Sequence, residues 1–127
     1  MENSELARYL SLVAVYKELA GENVFKVRAF ENAARTVLAA PDSVAALYRD
    51  NKLSELGGIG EAIGTVIGDL VETGHSEELD RLVREIPPGL PELLTLQGLG
   101  PKKIRTLWQA LGIMTLDELE TACRENR

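Results

Sequence analysis

Two short glycine patterns, offset by 40 positions, carry the residues of this sequence that are best suited to bind an anion. Residues 53–60 and residues 93–100 both read Leu-x-x-Leu-x-Gly-aliphatic-Gly. Glycine accepts positive φ without a Cβ clash, so each glycine pair allows a tight turn around one inward-facing aliphatic residue. The second glycine opens a helix whose first N–H groups lack partners and lie at the positive end of the helix dipole. A phosphate group suits such a site.

The pattern is typical of the helix-hairpin-helix, which binds the DNA backbone without reading base sequence. In the second copy the backbone N–H groups available within residues 100–103 would hold a phosphate, and three basic side chains follow directly. The predicted DNA-binding residues of this copy are Gly98, Gly100, Lys102, Lys103 and Arg105. The alternative interpretation is a tight turn between packed helices with a solvated basic end.

The first copy keeps the predicted DNA-binding glycines, Gly58 and Gly60, but it lacks the lysines. Residues 56–90 hold two basic and seven acidic groups, whereas residues 91–127 hold five of each. A surplus of carboxylates repels phosphate. Binding to DNA and a purely packing role therefore remain equal alternatives for this hairpin.

A third basic group lies earlier, at Lys26, Arg28 and Arg35. Arg28 and Arg35 are seven positions apart and share a helix face, while Lys26 lies off that face. The group is predicted to bind DNA, and a solvated helix face is the alternative. Phe25 fits either a core position or a surface ring that stacks on a base.

The elements that position these residues are all predicted to be helices, because apolar residues recur at helical spacing and no segment alternates with period two. Glycines and prolines divide the chain into eight or nine short helices. The predicted bounds are about 4–20, 25–39, 43–50, 60–73, 77–85, 91–95, 101–111 and 116 to the end. Pro87-Pro88-Gly89 is the clearest break. It predicts two units, residues 1–86 and residues 87–127, each with one hairpin.

Composition excludes several classes of protein. The sequence is 45% hydrophobic, and its longest apolar runs fall well short of the 18 or so residues of a membrane span. Its one cysteine, Cys123, cannot form an internal disulfide, and no Cys/His set has metal-ligand spacing. We expect a cytoplasmic, nucleoid-associated monomer with no membrane contact. The net charge of −6 is unusual for a DNA-binding protein, so the distribution of charge matters more than its sum.

The order of motifs resembles the N-terminal helical region of the family X DNA polymerases, above all the bacterial branch usually called PolX. The resemblance covers essentially the whole chain. It rests on residues 21–30, Ala33-Ala34-Arg35, Gly58-Ile59-Gly60, Glu72-Thr73-Gly74, Pro87-Pro88-Gly89-Leu90, Gly98-Leu99-Gly100-Pro101-Lys102-Lys103 and Leu111-Gly112-Ile113.

The resemblance implies a DNA-binding region of a repair polymerase that positions gapped or nicked DNA, as in base excision repair, joined to a catalytic palm in the parent protein. Lys26 matches a phosphate-binding lysine of the family. Some relatives are also 5′-deoxyribose-phosphate lyases, but the positions of the two lyase lysines are Ala62 and Val66 here. Because an imine needs an amine, no catalytic residue is predicted. A helical protein-interaction module that keeps the hairpins as scaffold is the alternative function.

Relatives also hold a monovalent cation on hairpin carbonyls. The matching positions are Leu94, Leu96 and Leu99. The resemblance implies no other cofactor.

Overall fold

The computed structural model describes residues 1–87, 89–94, 100–112, 115 and 118–121, and its regular elements are helices. The α-helices are α1 (Asn3–Leu19), α2 (Val24–Ala39), α3 (Val44–Arg49), α4 (Glu61–Thr73), α5 (Glu77–Glu85), α6 (Leu90–Leu93) and α7 (Pro101–Leu111), with a short 3-10 helix at Leu53–Glu55. The all-α prediction is confirmed, since the described residues contain no strand. The predicted last helix lies largely outside them. No described helix is long and apolar enough to cross a membrane.

Serine side chains cap the starts of two helices and glycines close two others, close to the bounds that the sequence predicts. Ser43 Oγ accepts a hydrogen bond from the N–H of Ala46 at 3.3 Å, and Ser76 Oγ accepts one from the N–H of Leu79 at 3.3 Å. Gly74 and Gly112 close α4 and α7 in the left-handed conformation, with φ of +83° and +68°. Such caps satisfy N–H and C=O groups that the helices leave unpaired.

The larger of two apolar clusters lies between α1, α2, α4 and α5. Its fully buried members include Leu6, Leu10, Val13, Ala33, Val37, Val44, Ile67 and Leu82. Ile59 of the first hairpin packs against it, partly buried, as predicted for the aliphatic residue between two glycines. The hairpin turn is therefore attached to the core by its own central side chain.

The second cluster contains Leu19, Ile86, Leu90, Leu93 and Ile104, all buried. Trp108 of α7 and Tyr16 of α1 lie against it, partly buried. The end of α1 thus belongs to the same cluster as α6 and α7, and Ile86 lies in it as well. The boundary between residues 86 and 87 stays a prediction.

An ion cluster joins the end of α1 to α5. Lys17 Nζ lies 3.3 Å from Glu22 Oε1 and 3.7 Å from Glu78 Oε1, and 5.3 Å from the centre of the Phe30 ring. Arg81 pairs with Glu22 Oε2 at 3.2 Å and with Glu85 Oε2 at 2.9 Å, and it also contacts Glu78. Lys17 is only 4% exposed, so these pairs compensate a charge that is withdrawn from water. They fix the turn after α1 against α5.

The cluster also changes the acidity of Glu22. Burial raises the pKa of its carboxyl, but the charge of Lys17 and the hydrogen bonds from Arg81 and Lys17 outweigh burial, so the pKa lies below its ordinary value of 4.5. A lowered folded-state pKa adds stability that is complete above the ordinary pKa and is lost as pH falls through the folded-state pKa.

We predict that Lys17→Met lowers the free energy of unfolding by about 1–3 kcal/mol. Loss of one partner from a fully buried ion pair costs about 3–5 kcal/mol, and here Arg81 still compensates Glu22. Urea unfolding at pH 7 measures the change. The difference from the unchanged chain should shrink as pH falls through the lowered folded-state pKa of Glu22, because Glu22 then becomes protonated in the folded protein as well.

Lys26→Met is the control, because Lys26 is exposed on α2. Exposed substitutions of this kind usually change stability by less than about 0.5 kcal/mol. Equal losses from the two variants would contradict a stabilising role for the ion cluster.

Candidate nucleic-acid interface

The helices that follow the two glycine patterns begin in the same backbone geometry. Gly60 has φ −82° and ψ −178°, and Gly100 has φ −92° and ψ 170°. The Gly60 carbonyl accepts from the N–H of Gly64 at 2.8 Å, and the Gly100 carbonyl accepts from the N–H of Ile104 at 3.1 Å. Neither glycine has a side chain that could cap the first turn. The helix itself therefore supplies no acceptor for the N–H groups of its first turn. The two helix starts therefore share backbone geometry as well as sequence.

The first turn of α7 combines this open start with positive charge. Pro101 occupies the first helical position, where its fixed φ suits the helix and its missing N–H costs nothing. Lys102 and Lys103 follow, both exposed. Cations at a helix N-terminus oppose the helix dipole, at a cost of about 0.3–1 kcal/mol each. A bound anion would offset that cost and meet the N–H groups of the same turn.

Arg105 is oriented toward the end of α1. Its Nη1 donates to the carbonyl of Leu19 at 3.2 Å, and its guanidinium lies over Gly21, where a Cβ would overlap it. The side chain is half buried. The structure therefore gives Arg105 a partner that the sequence did not suggest, and its predicted contact with phosphate stays a prediction.

The first turn of α4 has the opposite charge. Glu61 is its first residue. Ala62 is exposed and Val66 is 2% exposed, and both line an open groove between α4 and α5. Thr65 and His75 also line the groove. Its charged lining residues are two arginines and a larger number of carboxylates: Arg81, Arg84, Glu61, Asp69, Glu77, Glu78 and Asp80. The positions of the relatives' lyase lysines therefore carry no amine and lie in acidic surroundings.

The third basic group lies on the surface of α2. Lys26 and Arg28 are exposed, and so is Arg35, which donates to Asn32 Oδ1 at 2.6 Å and lies 4.0 Å from Glu31. Phe25 is 73% exposed. Of the two interpretations left open for this ring, the core position is excluded. The structure thus places an exposed aromatic ring beside an exposed lysine at the start of α2.

Part of the predicted site lies outside the described residues, namely Gly98, Leu96 and Leu99. Leu94 is described and packs, half buried, against the second cluster. The cation on these carbonyls stays a prediction. Within the described part of the chain, no group of three or more His, Cys, Asp or Glu side chains could hold a metal ion.

The helix starts that follow the two glycine patterns agree with comparisons to known proteins. Residues 1–76 match the family described as a helix-hairpin-helix domain, and residues 90–126 match a SAM-like helix-hairpin-helix tandem. The chain belongs to the helix-hairpin-helix domain family. Over all 127 residues it is 39% identical to the DNA polymerase/3′-5′ exonuclease PolX of Bacillus subtilis (strain 168). It spans 22% of the length of that relative. The predicted resemblance to family X polymerases is confirmed.

We predict that Gly58→Ala lowers the free energy of unfolding by about 1–2 kcal/mol, the usual cost of a left-handed conformation with a Cβ. Gly58 has φ +83°, and a Cβ there would meet no atom within 4 Å, so the cost is conformational. Gly57→Ala is the matched control, because its Cβ also meets nothing and its φ is not positive. Thermal and urea unfolding of both variants measure the difference. Similar losses in the two would show that the hairpin turn is not held in this conformation.

Proposed function

We propose that the chain is a DNA-backbone-binding region of a family X DNA repair polymerase, which positions gapped or nicked duplex DNA. The observation that carries the proposal is the start of α7. There Gly100, which has no capping side chain, precedes Lys102 and Lys103, both exposed, so the N–H groups of a helix start and two cations meet in one turn. A phosphate is the ligand whose geometry and charge fit both features.

Contacts of this kind read the backbone and carry no base sequence. The acidic groove between α4 and α5 repels DNA, so we assign the main contact to the second hairpin and at most a packing role to Gly58 and Gly60. With few cations engaged, affinity is expected to be weak and strongly dependent on salt.

A second, smaller contact is proposed at the start of α2. Lys26 would hold a phosphate at the 5′ side of a gap, with Arg28 and Arg35 on the same helix. The exposed Phe25 ring supports this assignment, because unpaired bases stack on surface aromatic rings. A gap offers such bases, whereas an intact duplex does not.

The relative's name describes a polymerase and exonuclease of which this chain matches about a fifth. We propose that the region serves a polymerase palm in its parent protein, as a monomer in the cytoplasm near the nucleoid. A monovalent cation on the carbonyls of Leu94, Leu96 and Leu99 would support the second hairpin.

The acidic groove favours a second candidate function, a protein-interaction module that uses the hairpins as scaffold. Its partner would be basic, because carboxylates outnumber the two arginines that line the groove. Binding to DNA separates the two candidates.

We expect the chain to bind gapped duplexes of unrelated sequence with similar affinity. If two to four phosphates are neutralised, the logarithm of the association constant falls against the logarithm of salt concentration with a slope of roughly −2 to −4. Fluorescence anisotropy at several salt concentrations measures the slope. A flat salt response would contradict DNA binding as the main function.

The charge reversal Lys102→Glu with Lys103→Glu should abolish most of this binding, whereas Ala62→Glu should change it little. Ala62 occupies the same position after Gly60 as Lys102 does after Gly100. Glutamate at a helix N-terminus favours the helix, so neither variant should unfold the protein. Lys102→Ala, which changes the charge by one unit as Ala62→Glu does, is the charge-matched comparison. Equal losses of DNA affinity in Lys102→Ala and Ala62→Glu would disprove the assignment of the main contact to the second hairpin.

We expect only background cleavage of a 5′-deoxyribose-phosphate end and little covalent product after borohydride reduction. The amine of a lyase must be partly neutral and within reach of the sugar. Lys26 is exposed to water, while Lys17 is buried beside Glu22 and Glu78. Efficient trapping that disappears in Lys26→Ala would show instead that the chain is an enzyme.

A further inference from the structure

The turn between α1 and α2 contacts two other elements through arginine side chains. Arg81 of α5 binds Glu22, and Arg105 of α7 binds the carbonyl of Leu19. This turn leads directly into α2, which begins at Val24 and carries Phe25 and Lys26 in its first turn. Arg105, on the helix that follows the second glycine pattern, therefore contacts the α1–α2 turn. That turn sets the position of the proposed DNA contact at the start of α2.

The contact of Arg105 is specific in two ways. Its guanidinium meets the carbonyl of Leu19 in the last turn of α1, at the negative end of the helix dipole. It also lies over Gly21, whose φ is +76° and which leaves no room for a Cβ. Glycine at this position thus serves both the conformation of the turn and the approach of Arg105.

We infer that Arg105 is a positioning residue: it sets the second hairpin relative to the Lys26 end of α2, so that one DNA molecule can reach both, and it is not itself a phosphate contact. The inference rests on the proposed function. Two weak sites in a fixed arrangement bind one ligand far more tightly than either alone, and the gain is lost when their geometry no longer matches the ligand.

Two variants disturb the contact in different ways. Arg105→Ala removes a charge, whereas Gly21→Ala displaces the guanidinium and leaves every charge in place. Gly74→Ala is the matched control for Gly21→Ala, because Gly74 also has a positive φ, of +83°, and a Cβ there would meet nothing within 4 Å. Lys102→Ala is the control for loss of a phosphate contact.

The first measurement needs no DNA. Trp108 is the only tryptophan of the chain and lies in α7 against the second cluster, which includes Leu19. Its fluorescence therefore reports how closely α7 packs on α1. We expect acrylamide to quench Trp108 more efficiently in Arg105→Ala and in Gly21→Ala than in Gly74→Ala or the unchanged chain. Equal quenching in all four proteins would overturn the positioning role, whatever the result with DNA.

The second measurement compares a gapped duplex, which can reach both sites, with a short blunt duplex, which reaches only one. Arg105→Ala and Gly21→Ala should both weaken binding to the gapped duplex about fivefold or more, in the range of ordinary coupling between sites. Affinity for the blunt duplex and its salt slope should stay unchanged. Lys102→Ala should weaken both and reduce the salt slope by about one unit.

Other outcomes count against the inference in distinguishable ways. If Arg105→Ala behaves like Lys102→Ala while Gly21→Ala binds normally, Arg105 is a phosphate contact and the inference is wrong. If the unchanged chain binds neither duplex, the proposed function fails and the role in DNA positioning fails with it. The Trp108 measurement would then still show whether Arg105 holds α7 against α1.

Discussion

The packing of α1 against two separate apolar clusters is the interaction on which the rest of the structure depends. Leu6, Leu10 and Val13 lie in the first cluster, and Leu19 lies in the second. A helix is a stiff element, so a single α1 gives both clusters a common axis. The first hairpin is attached to one cluster through Ile59 and α7 to the other through Ile104. The separation of the two hairpins is therefore set by a helix that belongs to neither of them.

Much of this fold could be predicted from local sequence, because its helix ends are marked by residues with strong backbone preferences. Ser43 and Ser76 cap α3 and α5, and Gly74 and Gly112 close α4 and α7, close to the helix bounds that the sequence predicts. The spacing of the glycine patterns predicts the shared geometry of Gly60 and Gly100. These features depend on contacts within a few residues, which a linear sequence displays directly.

The partners of charged side chains could not be predicted, because they depend on contacts between distant parts of the chain. Arg105 looks like a third cation after Lys102 and Lys103, yet it contacts Leu19, 86 positions earlier. Lys17 offered a local signal that sequence analysis missed. It continues the buried spacing of Leu10 and Val13, so a lysine stood on an apolar face and required a carboxylate partner. The identity of that partner, in the turn and on α5, needed the tertiary structure.

The ion cluster around Lys17 has a consequence for the behaviour of the molecule on warming. Hydration of charged groups becomes less favourable as temperature rises, so the cost of withdrawing Lys17 and Glu22 from water falls. The apolar stabilisation per unit of buried area, by contrast, reaches a plateau. The share of stability that comes from electrostatic attachment of the α1–α2 turn therefore grows with heat. The α1–α2 turn, which Arg81 of α5 and Arg105 of α7 contact, is then the part of the fold whose relative hold on its neighbours strengthens as the rest approaches melting.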